Sequence, residues 1–200
     1  MKKILLSALA STVLSGATLA GTPCFNGAYL GAGLDYMQEK FKVSGIISAS
    51  KSVKGAGFKI FGGYGTIIAD GFYFGGELTL GMDRVVGSEK DKDLDANKKA
   101  NYGIAARAGY VFSNVLPYVK AGYEGRPSFK VYNVLNVRRN GFILGAGADF
   151  AVTNNVFVRA EYVHGFGSKT NTSVTVRNVA ANLSTKPSTD TFLIGAGYKF

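Results

Sequence analysis

The sequence predicts an all-β fold: an eight-stranded antiparallel up-and-down barrel that crosses a membrane, preceded by a cleaved signal peptide. Three observations carry this expectation. Eight segments of about 9 to 13 residues alternate apolar residues with small or polar ones. Long and short connections alternate strictly between them. One face of every segment is almost free of charge, while the other face gathers all the charges of the segment interiors.

The chain opens with MKKILLSALASTVLSGATLAG, in which Lys2 and Lys3 precede an apolar run from Ile4 to Leu14 and small residues follow. That order is the pattern of a secretory signal, with cleavage expected after Ala20 or Ala17. The apolar stretch is shorter than the ~20 residues a spanning helix needs. Residues 1–20 are therefore expected to be the signal and 21–200 a single barrel domain. The only cysteine, Cys24, follows Pro23, where a lipoprotein signal would want a small residue. One cysteine allows no internal disulfide. Net charge is +10, part of it from Lys2 and Lys3. Glycine, at 27 of 200 residues, is well above its usual ~7%. It has no three-residue period, so the chain is not collagen-like.

The strands are expected at 27–37, 53–65, 72–82, 100–111, 116–124, 141–150, 156–164 and 189–200. None has helical periodicity, and a tilted membrane strand needs about 9–11 residues. The short connections are 66–71, 112–115 and 151–155; the long ones are 38–52, 83–99, 125–140 and 165–188. Tight turns at one rim and long loops at the other are the layout of a membrane barrel. The last strand, FLIGAGYKF, keeps its alternation to the final residue, with Phe192, Ile194, Ala196, Tyr198 and Phe200 on one face. A frayed tail has no need of such order.

The apolar face includes Leu30, Leu34, Ile60, Phe74, Leu78, Leu80, Ile104, Val119, Leu144 and Ile194. A charge facing hydrocarbon at mid-bilayer costs ~2–4 kcal/mol in a barrel, so its near absence there points to lipid. Aromatic residues gather toward strand ends (Tyr36, Tyr64, Phe72, Tyr102, Tyr110, Phe150, Tyr162 and Phe200), as interfacial girdles would. There is no tryptophan. A water-soluble barrel with this face inside would expose a surface of glycine, tyrosine and few charges, too little polarity for solubility.

The opposite face carries Asp35, Glu77, Glu124, Asp149 and Glu161 against Lys59, Arg107, Lys120, Arg159 and Lys199. These balance, as a narrow bore filled by side chains requires. A lumen ion-pair network of all ten is expected, with Glu77, Arg107 and Lys59 as one cluster. Tyr29, Phe61, Tyr73 and Phe157 are expected to help plug the bore. YLGAGLDY (29–36), ILGAGADF (143–150) and LIGAGYKF (193–200) repeat an apolar–Gly–Ala–Gly core. A dinucleotide-binding reading fails because the third glycine of G-x-G-x-x-G and a following helix are both missing.

NGAYLGAGLDY, FGGYG, LPYVKAGYE, FILGAGADF, VFVRAEYVHGFG and FLIGAGYKF together resemble the small outer-membrane β-barrel proteins of Gram-negative bacteria. These include the opacity-type proteins, the alphaproteobacterial surface antigens and the barrel half of outer-membrane protein A, also grouped as a porin family. The resemblance covers roughly 25–200. It implies an outer-membrane location with loops at the cell surface and both termini in the periplasm. It also implies that Tyr198 and Phe200 form an assembly signal read by the outer-membrane assembly machinery.

Fold does not give function, and no catalytic, metal or cofactor site is expected. Some small barrels of this kind act on lipid A, but here a Ser–His–acid set would need Ser168, His164 and Glu161. Glu161 should face inward, His164 outward, and Ser168 falls in a loop. A low-conductance pore is the alternative reading, and the charged, aromatic bore argues for at most slow, small conductance. The favoured role is structural or adhesive, through basic loops. Loop 125–140 holds Arg126, Lys130, Arg138 and Arg139 with no acid, a surface that attracts phosphate or sulfate. Outer-membrane lipid and lipopolysaccharide are the expected partners, followed by an acidic host glycan or protein; nucleic acid is not.

Overall fold

A computed structural model describes residues 25–44, 49–86, 98–125, 129–131, 135–137, 141–167, 170–176 and 179–200. The signal segment, Cys24, Arg126, Arg138, Arg139 and Ser168 lie outside the described residues.

Among the described residues eleven strands form: β1 (Gly27–Ser44), β2 (Ala49–Ile67), β3 (Phe72–Val86), β4 (Lys98–Tyr110), β5 (Val115–Gly125), β6 (Phe129–Val131), β7 (Leu135–Val137), β8 (Gly141–Ala151), β9 (Val156–Gly167), β10 (Thr170–Val176) and β11 (Val179–Lys199). Eight of them, β1, β2, β3, β4, β5, β8, β9 and β11, pair with their neighbours in chain order, and β1 closes on β11. Every pairing in that circuit is antiparallel. The result is a closed up-and-down barrel, which leaves no sheet edge exposed within its wall. The short pair β6–β7 and the strand β10, which pairs with β11, belong to the long-loop rim.

The eight predicted segments are all strands, but three of the four long connections, 38–52, 83–99 and 165–188, are shorter than the alternation suggests. β1 runs on to Ser44, β2 begins at Ala49 and β11 begins at Val179. These extensions continue the ladder of the transmembrane part, as in Lys42↔Lys186 and Lys42↔Ser50. Backbone pairing needs no lipid, so the strands persist past the level where hydrocarbon imposes an apolar–polar rhythm. That rhythm was the only signal of a strand in the sequence.

At the opposite rim the turns are tight. Ile68 N–H donates to the Phe72 carbonyl at 2.7 Å, and Asp70 and Gly71 take positive φ values of 59° and 88° to reverse the chain. The last residue is fixed: Phe200 N–H donates to the Ala28 carbonyl at 3.0 Å. At the closing seam the first and third GAG repeats face each other, Gly31↔Gly197, Ala32↔Ala196 and Gly33↔Gly195. A Cβ on Gly33 would stand 2.6 Å from the Ile194 carbonyl oxygen, so the seam permits no side chain there.

The two faces of the wall divide as the alternation requires. Leu34 and Ile194 are 71% and 75% exposed, whereas Arg107 and Arg159 are 2% exposed. Among the described residues the outer face of the membrane-crossing part is apolar, and the buried charges Glu77, Arg107, Lys120, Asp149, Arg159 and Glu161 point into the bore.

Candidate functional site

The lumen is filled in two tiers. Nearer the short-turn rim, Phe25, Phe61, Leu116, Phe157 and Leu193 pack with Tyr29, Tyr73 and Tyr118 into one buried cluster. Four of the large rings lie over a glycine of the adjacent, paired strand. Phe61 covers Gly31, Tyr73 covers Gly65, Tyr118 covers Gly147 and Phe157 covers Gly197. The glycines on the inner face thus make the space that the aromatic rings occupy.

Against this cluster sit six charged residues, three of each sign. Glu77 is their hub. Its Oε1 accepts from Lys120 Nζ at 2.7 Å, and its Oε2 accepts from Arg159 Nη1 at 2.6 Å and Arg107 Nη1 at 3.3 Å. Arg159 grips Asp149 with two nitrogens, Nε at 2.7 Å and Nη2 at 2.9 Å, and Arg107 Nη2 reaches the same carboxylate at 2.7 Å. Lys120 also bonds Glu161 at 2.8 Å. Tyrosines complete the set. Tyr29 hydroxyl donates to Glu77 at 2.8 Å and accepts from Arg107 at 2.9 Å, while Tyr118 hydroxyl donates to Glu161 at 2.7 Å. The Arg107 guanidinium lies 3.7 Å from the centre of the Tyr118 ring and that of Arg159 4.0 Å from the centre of Phe61. Charges removed from water are tolerable only when paired and hydrogen-bonded to this degree.

The upper tier is separate. Lys59 stands 3.8 Å from Asp35 and 3.6 Å from Glu124. Its expected place beside Glu77 and Arg107 is corrected by the register. Glu77 pairs with Gly63, while Lys59 pairs with Gly81, four residues further toward the long-loop rim along each strand. Glu39 is buried nearby and was not expected, because the predicted strand stopped before it. Glu39, Glu124, Ile143, Val163, Thr189 and Thr191 line a recess of about 40 Å³ open toward this rim. It holds a few waters at most. Lys199 takes no part in the ion pairs among the described residues. It is half-buried at the short-turn rim, its side chain running past Gly27, because it follows the wall's last inward-facing glycine, Gly197.

On the outer wall, His164 has a partner that sequence reasoning missed. Its Nδ1 lies 2.6 Å from Asp190, which also accepts from Tyr162 hydroxyl at 2.8 Å and Lys40 Nζ at 3.3 Å. The signal was hidden because Lys40, His164 and Asp190 come from three strands distant in sequence. Three side chains, from β1 and β9, thus converge on one carboxylate of β11. Glu161 is turned the other way, onto Lys120 and Tyr118, so His164 and Glu161 are on opposite sides of the wall. Lys130 lies on β6, opposite Asn136. Tyr198 and Phe200 are exposed on the outer face, their rings in edge contact at 5.4 Å.

A family model described as the outer membrane protein beta-barrel domain matches residues 6–200. The 25 kDa outer-membrane immunogenic protein of Brucella melitensis biotype 1 is 32% identical over 181 residues, covering 87% of this chain and 78% of that protein. Its counterpart from Brucella ovis is 29% identical over 178 residues, covering 87% and 77%. Among solved structures, the outer membrane protein AlkL in lipid bilayers superimposes with a TM-score of 0.53 at 14% identity, covering 92% of this chain and 94% of that one. The attachment invasion locus protein of Yersinia pestis gives a TM-score of 0.47 at 17% identity, covering 88% and 99%. With a closed eight-stranded wall, an exposed apolar outer face and a family match over nearly its whole length, this chain belongs to the outer-membrane β-barrel protein family.

Proposed function

We propose that this protein is a surface protein of the outer membrane with a structural or adhesive role, meeting its partners through four long basic connections and not through its bore. The supporting observation is the plug. Glu77, Arg107, Lys120, Asp149, Arg159 and Glu161 are all buried, mutually paired and backed by tyrosine and phenylalanine rings. In this reading the long-loop rim faces the cell exterior, both termini are periplasmic, and Tyr198 and Phe200 form the assembly signal. A Brucella relative named as immunogenic accords with surface display. Lipopolysaccharide of the same membrane is the first partner and an acidic host glycan or protein the second. The chain acts without catalysis, since His164 and Glu161 serve different partners on opposite faces.

Two measurements test this. Refolded protein in a planar bilayer should show no steady openings of nanosiemens size, and such openings would restore the pore. A heparin-like glycan should bind the native protein more tightly than the Arg126/Lys130/Arg138/Arg139→Ala variant. Equal binding would remove that loop from the reading.

A further inference from the structure

The outward-facing rows change character abruptly toward the long-loop rim. Tyr36, Phe192 and Tyr162 are successive register partners across β1, β11 and β9, and the Tyr162 and Phe192 rings stand 4.8 Å apart. One step further out along the same strands the partners are Lys54, Gln38, Asp190 and His164. The next step brings Lys40 opposite Ser188. Lys40 and Lys54 are exposed, Lys40 with 47% of its side chain accessible.

The register extends this trend. Lys42↔Lys186 and Arg84↔Lys98 occupy strand positions of the same parity, and Asp190 is the single acid at that parity in these outer rows of β1, β2, β3, β4 and β11. Across the barrel, among the described residues, the outermost positions of β5 and β8 are Gly125, Gly141 and Phe142. Among the described residues the basic collar lies on the side of β1, β2 and β11. Its single acid is already committed to His164, Tyr162 and Lys40, so its role is to hold those side chains in place. Lys40 has three N–H donors and spends one on Asp190, leaving two for another acceptor.

An amine row directly beyond an aromatic row lies at headgroup depth, where hydrocarbon ends and lipid phosphates begin. We propose that this collar binds the phosphate groups of a phosphorylated glycolipid of the outer leaflet, with Lys40 and Lys54 as phosphate donors and Asp190 as a positioning residue that orients Lys40. The proposal rests on the orientation given above, with the long-loop rim outward, but not on the basic loops.

The test uses the refolded protein in phosphatidylcholine vesicles carrying one of three additions. These are a bis-phosphorylated lipid A-type glycolipid, the same glycolipid stripped of phosphate, or phosphatidylglycerol at equal charge. Lipid that survives detergent extraction is counted by native mass spectrometry. The native protein should retain the bis-phosphorylated glycolipid and neither of the others. Lys40→Ala with Lys54→Ala should lower retention by about fivefold for each lysine, and the corresponding Arg pair should restore it. The Arg126/Lys130/Arg138/Arg139→Ala variant should retain lipid as the native protein does, which separates this site from the loops. Heat-modifiable gel migration verifies that each variant is folded. Equal retention by the Lys→Ala pair, or equal retention of the phosphorylated and stripped glycolipids, overturns the site. Retention of phosphatidylglycerol at the same level overturns the glycolipid as its ligand. Displacement by millimolar inorganic phosphate makes it a free-phosphate site instead.

Discussion

Glu77 and Leu78 are neighbours in sequence and opposites in environment. Glu77 is 2% exposed and held by three cations and a tyrosine, whereas Leu78 is 61% exposed and bare. The same contrast repeats around the barrel, with Lys120 buried and Val119 exposed on β5, and Arg159 buried and Val158 exposed on β9. In a water-soluble protein the energetics would run the other way. Here burial and polarity go together because the solvent of the outer face is hydrocarbon, and the lumen must meet its polar demands internally. A residue's tolerance to change should thus depend on which face it occupies more than on how exposed it is.

The sharpest way to break this comparison is to remove the hub inside. Glu77→Ala leaves Arg107, Lys120 and Arg159 with one carboxylate fewer and should cost about 3–5 kcal/mol in urea unfolding from lipid vesicles. Glu77→Ala with Arg107→Ala leaves two acids facing two bases, Asp149 and Glu161 with Lys120 and Arg159, and should lose less than the single change. Simple additivity would show that the charges do not act as one network.

Charging the other face comes next. Leu78→Arg should cost about 2–4 kcal/mol near the bilayer midplane. A neutral effect would mean that water, not lipid, wets that position.

Glycines offer a finer comparison. Gly147→Val drives a methyl into the Tyr118 ring and should cost about 1–3 kcal/mol. Gly76 is on the outer face, where an added Cβ meets nothing within 4 Å, and Gly76→Val should be tolerated.

The smallest effect belongs to the outer cluster. Asp190 accepts from Tyr162 and Lys40 and lies 2.6 Å from His164 on the outer wall, contacts that need its carboxylate charged or accepting. At neutral pH Asp190→Asn should lose about 0.5 kcal/mol, as exposed pairs do. The gap between the two proteins should close on acidification. A gap unchanged at low pH would deny the ion pair.

Much of this fold was legible in the sequence because lipid is a strict reader. Hydrocarbon on one side and a crowded bore on the other force each of the eight membrane-crossing segments into period two, so the strands and their faces could be assigned from residues such as Leu34 and Asp35 alone. Pairing within the bore was less legible. Which acid meets which base depends on stagger between strands, and alternation does not encode it. Lys59 was for that reason assigned to the wrong tier and Lys199 to a network it does not join. Tyr118 and Glu39 escaped notice for different reasons. Tyr118 sits in a strand whose inner face was read for its charges, and Glu39 lies past the point where the apolar rhythm stops. The Lys40–Asp190–His164 cluster was invisible because it exists only once β1, β11 and β9 are side by side.

The central claim is that lipid wets the apolar side of this wall and that the charged side is hidden. The chain has no tryptophan, so a single introduced one reports alone. Ile143→Trp and Leu144→Trp place it on adjacent residues of β8, one facing the recess and one facing outward. In vesicles of lipids brominated along their acyl chains, Trp at 144 should be strongly quenched and Trp at 143 should not. Quenching at 143 with none at 144 would turn the barrel inside out and contradict the account.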